Sequence, residues 1–220
     1  MGLSEGLFAP WLLWLTSALF LLGLVWAVRD ALWMHLNLEQ PLQHTFFGAA
    51  VALALLWQLR AGLSPGLVVH IFAITVVTMM LGWGLAVMAG LAALAFTCLT
   101  GKEPWSLFAV NGLVTVIVPA LVSHGIILWE RRQGFRNFFA YLFFCGYFGA
   151  ALAVGVAGCV MVVLLWASGT YSFYHLVHDY LRYLPLIMLP EGLVNGMVAT
   201  GIMVFHPQRL LTLEESRYLQ

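Results

Sequence analysis

Long runs of apolar residues, separated by short polar breaks, fill this chain from residue 11 to residue 205. The runs lack the alternation of period two that a transmembrane strand would show, which excludes a β-barrel. An apolar helix of about 20 residues can cross a bilayer, because it satisfies every backbone N–H and C=O internally. The pattern predicts an all-α integral membrane protein, a polytopic bundle of about six to seven transmembrane helices, at 11–28, 45–59, 67–82, 84–100, 107–129, 138–168 and 182–205.

One break between apolar runs is unusually short. Only the G-W-G of Gly82 to Gly84 separates the third run from the fourth. Glycine often marks the end of a helix, and irregular backbone is tolerated at membrane depth only where protein covers it. The two runs are therefore interpreted either as a tight hairpin or as one re-entrant unit.

The amino-acid composition is typical of an integral membrane protein. Of its 220 residues, 63% are hydrophobic and 8% are charged, and the mean hydropathy is +0.97. These values predict one transmembrane domain over residues 1–220, with the lipid bilayer as its surroundings. The formal net charge is zero and no basic run exists, so no nucleic-acid partner is expected.

The basic residues predict the orientation. An extracytoplasmic N-terminus and a cytoplasmic C-terminus place six of the nine Lys and Arg residues inside, as the positive-inside bias requires. The remaining three, Arg60, Lys102 and Arg182, then lie outside. The first ten residues contain Glu5 and no Lys or Arg, unlike a secretory signal. The expected location is the inner membrane of a prokaryote, with several passes.

Histidines are the main candidates for metal chemistry. His70 lies at the outer mouth of the third predicted span, on the same side as the N-terminus. His175 and His178 have the spacing that places two imidazoles on one helical face, a plausible pair for a divalent metal. A different class of function, a bis-histidine haem protein, would use His44, His124 or His206.

Glu191 is the acidic residue that lies well inside a span. A carboxyl group there is expected to be hydrogen-bonded or to face a cavity, since an isolated charge in lipid costs several kcal/mol. Two roles stay open: a structural one, in which protonated Glu191 bonds a neighbouring helix, for example at Asn111, and a place on the substrate path. The sequence has no phosphate loop, nucleophile elbow or zinc-protease motif, so neither an enzyme nor an ATPase is predicted.

Three segments carry a resemblance to a known family. MGLSEGLFAP is similar to the M-H-I-P-E-G-F-L-S-P that typically begins the substrate-capture membrane subunits of energy-coupling factor cobalt and nickel transporters, a type of ABC transporter. Met1, Glu5, Gly6 and Pro10 match. GLVVHIFAITVVTMMLGWGLAVMAGLAALAF looks like the third-helix region of that family, and PEGLVNGMVATGIMVF looks like its closing helix.

The resemblance implies a metal site and partner subunits. In the family the N-terminus folds into the bundle, and its amine, a backbone nitrogen and the imidazole of a second-position histidine join a third-helix histidine around Ni²⁺ or Co²⁺. Met1 matches the amine donor and His70 matches the third-helix histidine, whereas Gly2 replaces the second-position histidine. That replacement leaves Cu²⁺ and Zn²⁺ open as ions, and His44, His175 and His178 as replacement ligands.

Two functions follow as expectations. The first is capture of a divalent metal ion, with a transmembrane coupling subunit and ATPase subunits as partners, and with Glu5 shaping the turn of the N-terminal segment into the bundle. The second is a non-transporting assembly or maturation factor on the same fold, in which the metal site has decayed.

Overall fold

The protein folds as a bundle of helices. The computed structural model describes residues 2–3, 8–64, 67–134 and 137–213. The helices are α1 (Pro10–Asp30), α2 (Trp33–Leu38), α3 (Gln40–Leu56), α4 (Ile74–Leu99), α5 (Trp105–Gln133), α6 (Phe138–Ala167), α7 (Phe173–Asp179) and α8 (Leu184–Phe205). Two single turns of 3₁₀-helix, Leu181–Tyr183 and Pro207–Arg209, flank α8.

Among the residues that the structure describes, five helical stretches are long and apolar enough to cross a membrane: α1, α4, α5, α6 and the stretch Phe173–Phe205 that contains α7 and α8. Helix α3 has 17 residues and a comparable apolar content. The predicted polytopic helical membrane bundle is therefore confirmed, and the protein is a multi-pass membrane protein. Inside α5 and α6 lie wider, π-helical turns at Leu113–Ile117 and Leu142–Phe148.

Helix α4 is bent back on itself at Gly82. The backbone of Gly82 has φ 73° and ψ 174°, which no helix contains and which glycine adopts without steric cost. A Cβ atom on Gly90 would lie 2.9 Å from Cδ1 of Ile74. Residues 16 apart in a straight helix are separated by about 24 Å, so the arms 74–81 and 83–99 run antiparallel. The hairpin interpretation of the G-W-G break holds.

The break leaves two carbonyl groups that the helix cannot satisfy. The carbonyl oxygen of Met79 accepts the backbone N–H of Thr212 at 3.2 Å and its hydroxyl at 2.8 Å. That of Met80 accepts the N–H of Leu211 at 3.2 Å. Tyr141, which is fully buried, holds the Thr212 hydroxyl at 2.7 Å. The segment after α8 thus closes the open end of the first arm.

A small antiparallel sheet precedes α4. Its strands are β1 (Gly2–Leu3), β2 (Ala61–Ser64) and β3 (Leu67–Val69), in the order β1-β3-β2. The start of the predicted third span, 67–82, is therefore wrong, because α4 begins at Ile74. A short run of apolar residues rich in valine suits a strand as well as a helix, and hydropathy does not distinguish them.

Arg60 and Arg131, which the predicted orientation puts on opposite sides of the membrane, lie at opposite ends of the bundle. At one end, Nη1 of Arg60 donates to the carbonyl oxygen of Lys102 at 3.1 Å. At the other end, Nη2 of Arg131 donates to the carbonyl oxygen of Thr212 at 2.9 Å. The end with Arg60 also carries the start of α1 and the sheet.

Gly84 allows α4 to approach α1 closely, and this generates a stability prediction. A Cβ atom there would lie 2.6 Å from both the oxygen of Ala27 and the nitrogen of Ala31, which are backbone atoms that cannot rotate away. Gly84→Ala should therefore destabilise the fold by about 1–3 kcal/mol. Thermal unfolding in detergent micelles measures the change.

The matched control is Gly125→Ala, also within a helix, where an added Cβ meets no atom within 4 Å. This control should be neutral or should stabilise slightly, since alanine favours a helix over glycine by about 0.5–1 kcal/mol. Equal melting temperatures for the two variants would contradict the close approach of α1 and α4.

Candidate metal site around His70

The four residues before α4 form a segment that lies between α3 and α8. Trp57, just after α3, is fully buried, and its indole N–H donates to the carbonyl oxygen of Phe72 at 3.1 Å. The imidazole ring of His70 lies between two aromatic rings, with centroid distances of 5.0 Å to Trp57 and 5.3 Å to Phe72. Helix α3 therefore fixes one side of the segment.

Glu191, on α8, fixes the other side. Its Oε2 accepts the N–H of Phe72 at 2.8 Å, and its Oε1 accepts the N–H of Ala73 at 2.7 Å. The side-chain amide of Asn195 donates to Oε1 at 2.8 Å. Glu191 is 2% exposed, so these three donors replace water around the carboxylate. An ionised carboxylate can only accept, and this pattern of donors suits it.

The backbone conformation at Ala73 is unusual. Ala73 has φ 55° and ψ 14°, in the left-handed region that costs a residue with a Cβ about 1–2 kcal/mol. Ala73 precedes the first residue of α4 and has no side chain that could cap the helix. Instead, Oδ1 of Asn195 accepts the N–H of Val76 at 2.8 Å. The first turn of α4 is thus capped by side chains of α8.

His70 itself is 5% exposed. Its Nδ1 lies 3.3 Å from the carbonyl oxygen of Ile71. Burial lowers the pKa of His70 well below its usual value, because the charged imidazolium loses its hydration. The imidazole therefore stays neutral at physiological pH, the form that binds metal ions.

The N-terminal strand lies beside this segment. Gly2 is paired with Val68 and Leu3 with Leu67, so the backbone of Gly2 runs next to the residue two positions before His70. Paired residues in an antiparallel sheet are about 5 Å apart, and two residues of strand span about 7 Å. By this geometry the Cα atoms of Gly2 and His70 are about 8–9 Å apart, so the N-terminal strand lies close to His70. Met1 and Glu5 lie outside the described residues.

The other histidines named as replacement ligands lie elsewhere. His44, near the start of α3, is about 20 Å along the helix from Trp57, at the opposite end from His70. His175 is paired with Asp179 at 2.6 Å, and Nδ1 of His178 lies 2.9 Å from the carbonyl oxygen of Tyr174. Within the described part of the chain, no three His, Cys, Asp or Glu side chains form a metal-binding group.

Asn111 has a different partner from the one that its position suggested. Its side-chain amide donates to Oε2 of Glu103 at 2.7 Å, whereas Glu191 bonds the segment before α4. The other oxygen of Glu103 pairs with Nη2 of Arg60 at 2.9 Å. The predicted Glu191–Asn111 contact is therefore wrong, because the Asn111 amide donates to Glu103 and the oxygens of Glu191 are occupied by donors from the segment before α4 and from Asn195.

The haem alternative finds little support in the geometry. His44 and His206 are exposed, and His124 lies beside Trp83 with a ring centroid distance of 6.4 Å. His124 packs at the bend of α4, whereas His44 is on α3. A bis-histidine haem needs two imidazoles that face each other across a cavity inside the bundle, whereas His44 and His206 are exposed.

The comparisons with known proteins now decide the family. Residues 3–209 match the model of a family described as the cobalt uptake substrate-specific transmembrane region. The chain belongs to this cobalt uptake family. It is accordingly a membrane component of metal uptake that serves substrate binding, which agrees with the predicted resemblance. No curated protein matches the chain.

Two solved structures share the fold of this cobalt uptake family member. One is a truncated transition metal transporter, with a TM-score of 0.79 at 13% identity, over 94% of this chain and 100% of the other. The second is a transition metal transporter, with a TM-score of 0.77 at 13% identity, over 93% of both chains. At this identity the likeness shows the fold alone.

Sequence reasoning missed two residues that hold the His70 segment. Asn195 follows Glu191 by four positions, which places both on one face of a helix, and this spacing was a usable signal. Trp57 carried no such signal, because its partner is a backbone carbonyl 15 residues away. In this family member the segment is therefore held mainly by hydrogen bonds between its own backbone and the side chains of Trp57 and Glu191.

The buried ion pair between Arg60 and Glu103 generates a prediction. The side chains of Arg60 and Glu103 are 11% and 1% exposed, and Glu103 also accepts from Asn111. Glu103→Ala leaves the buried guanidinium without its carboxylate partner and the Asn111 amide without its acceptor, and should destabilise the fold by about 3–5 kcal/mol. Replacing both residues, Arg60→Met with Glu103→Leu, should cost much less. Chemical unfolding in mixed micelles checks both, and equal losses would contradict a coupled pair.

Proposed function

We propose that the chain is the substrate-capture membrane component of an energy-coupling factor transporter for a divalent transition metal ion. Ni²⁺ and Co²⁺ are the first candidates, and Cu²⁺ and Zn²⁺ follow. The observation that carries the proposal is the pairing of Gly2 with Val68, which brings the N-terminal strand next to buried His70. The inner membrane of a prokaryote is the proposed location.

The donor atoms of this region suit the proposed ions. Imidazole and backbone nitrogen are ligands that late first-row divalent metals prefer, and the strand pairing brings the N-terminal backbone close to the one imidazole of this segment. His70 would supply an imidazole, and the N-terminal strand would supply the nitrogens of its backbone and, following the family pattern, the amine at Met1 or Gly2. Gly2 supplies no imidazole, which is expected to weaken binding.

Release of the ion would require other subunits. A bound ion changes the conformational balance only through its different affinity for the two states, so resetting the site needs an external source of free energy. The sequence has no nucleotide-binding motif of its own. A transmembrane coupling subunit and ATPase subunits are therefore the proposed partners.

One specific observation favours a second function, that of a non-transporting assembly factor. Gly2 occupies the position of a family ligand, and the described residues hold no group of three His, Cys, Asp or Glu side chains that could bind a metal ion. Metal retention separates the two functions, because the assembly factor would bind no ion.

Substitution of His70 tests the proposed site. Protein carrying a C-terminal tag should retain Ni²⁺ or Co²⁺ after desalting, and His70→Ala should lose at least nine tenths of it, because a nitrogen ligand is gone. Extending the N-terminus by several residues should do the same. Elemental analysis by mass spectrometry measures the bound metal. The control is His206→Ala, whose side chain is exposed beyond α8. Unchanged retention in both test variants would remove this site.

A gain of affinity is expected at the second position. Gly2→His adds the imidazole found in the family pattern, on a strand that is already paired beside β3. The variant should bind Ni²⁺ at least ten times more tightly and should acquire the absorption spectrum of a planar nitrogen site. Titration calorimetry and visible absorption test this. No change in affinity or spectrum would argue that the strand does not reach the ion.

A further inference from the structure

We propose that Glu191 and Asn195 are positioning residues for the metal site, which hold the backbone after His70 in the conformation that orients its imidazole. The inference rests on the proposed function. Neither side chain is proposed to touch the ion. Both act through the N–H groups of Phe72, Ala73 and Val76.

Several hydrogen bonds hold the short segment after His70. Two consecutive N–H groups, those of Phe72 and Ala73, donate to the two oxygens of one carboxylate. The intervening carbonyl of Phe72 accepts from Trp57 on the opposite side. Three hydrogen bonds thus fix the Ile71–Phe72 and Phe72–Ala73 peptide units, which directly follow the His70–Ile71 unit. These bonds fix the direction in which the backbone leaves His70 and the place of the Phe72 ring, which lies with Trp57 against the imidazole and limits its rotation.

The left-handed conformation of Ala73 also depends on Glu191. A non-glycine residue at φ 55° persists only where its surroundings enforce it. The bond from the N–H of Ala73 to Oε1 of Glu191, at 2.7 Å, supplies that constraint. Asn195 in turn bonds Oε1 at 2.8 Å and the N–H of Val76 at 2.8 Å, so it fixes the carboxylate relative to the first turn of α4.

The experiment compares Ni²⁺ affinity by equilibrium dialysis for wild type and three variants in detergent. Glu191→Gln keeps the size and one acceptor oxygen but turns a donor toward an N–H group. We expect a 10- to 100-fold higher Kd, as for other residues that orient a metal ligand. The electron paramagnetic resonance spectrum of bound Cu²⁺ should also change, because the imidazole is reoriented.

Two companion variants separate positioning from general stability. Tyr141→Phe removes a buried hydrogen bond to Thr212 at the far end of the first arm of α4 and should lower the melting temperature without changing the Kd. Ala73→Gly, combined with Glu191→Gln, should restore part of the affinity, since glycine adopts the left-handed conformation without help.

The outcomes are distinguishable. If wild type binds no Ni²⁺ or Co²⁺, the proposed function fails, and this inference fails with it. If wild type binds but Glu191→Gln has an unchanged Kd and Cu²⁺ spectrum, the positioning role alone is overturned. The same holds if Tyr141→Phe weakens binding as much as Glu191→Gln does at an equal loss of melting temperature, because loss of stability would then explain both.

Discussion

The carboxylate of Glu191 bound to two consecutive backbone N–H groups is the interaction on which this fold depends most. A chain that enters a helix from an extended segment leaves its first N–H groups without helical partners. Inside an apolar bundle water does not compensate them, and each unsatisfied group costs several kcal/mol. Glu191, with Asn195 beside it, accepts hydrogen bonds from the N–H groups of Phe72, Ala73 and Val76. The extended segment can therefore join the helix at Ala73 without unsatisfied N–H groups at these three positions.

The first arm of α4 is held in the same way at both ends. Its N-terminal end is bonded by side chains of α8, and its C-terminal end, at Met79 and Met80, is bonded by the backbone that follows α8. Contacts more than 100 residues apart in sequence thus fix a helix of about two turns, which would be marginal alone. The arm and α8 therefore form one unit, and the position of His70 depends on both.

Much of the fold could be predicted from hydropathy, and most of the site could not. Apolar runs located the long helices, and the G-W-G break located the bend at Gly82, because glycine at positive φ has a recognisable signal. The extended segment before Ile74 was assigned to a span, since its residues are equally apolar in either conformation. Glu191 was recognised as important, but its partners are backbone N–H groups, which every residue offers and no sequence pattern marks. Resemblance, not spacing, pointed to His70.

Because β1 pairs with β3 through backbone atoms, the approach of the N-terminal strand to His70 does not require a particular side chain at position 2. A histidine or a glycine there is compatible with the same path of the chain. The conformation of the His70 segment is set independently, from α3 through Trp57 and from α8 through Glu191. Because the two bonds act on Phe72 from opposite sides, the packing of α8 against α3 sets the backbone conformation next to His70.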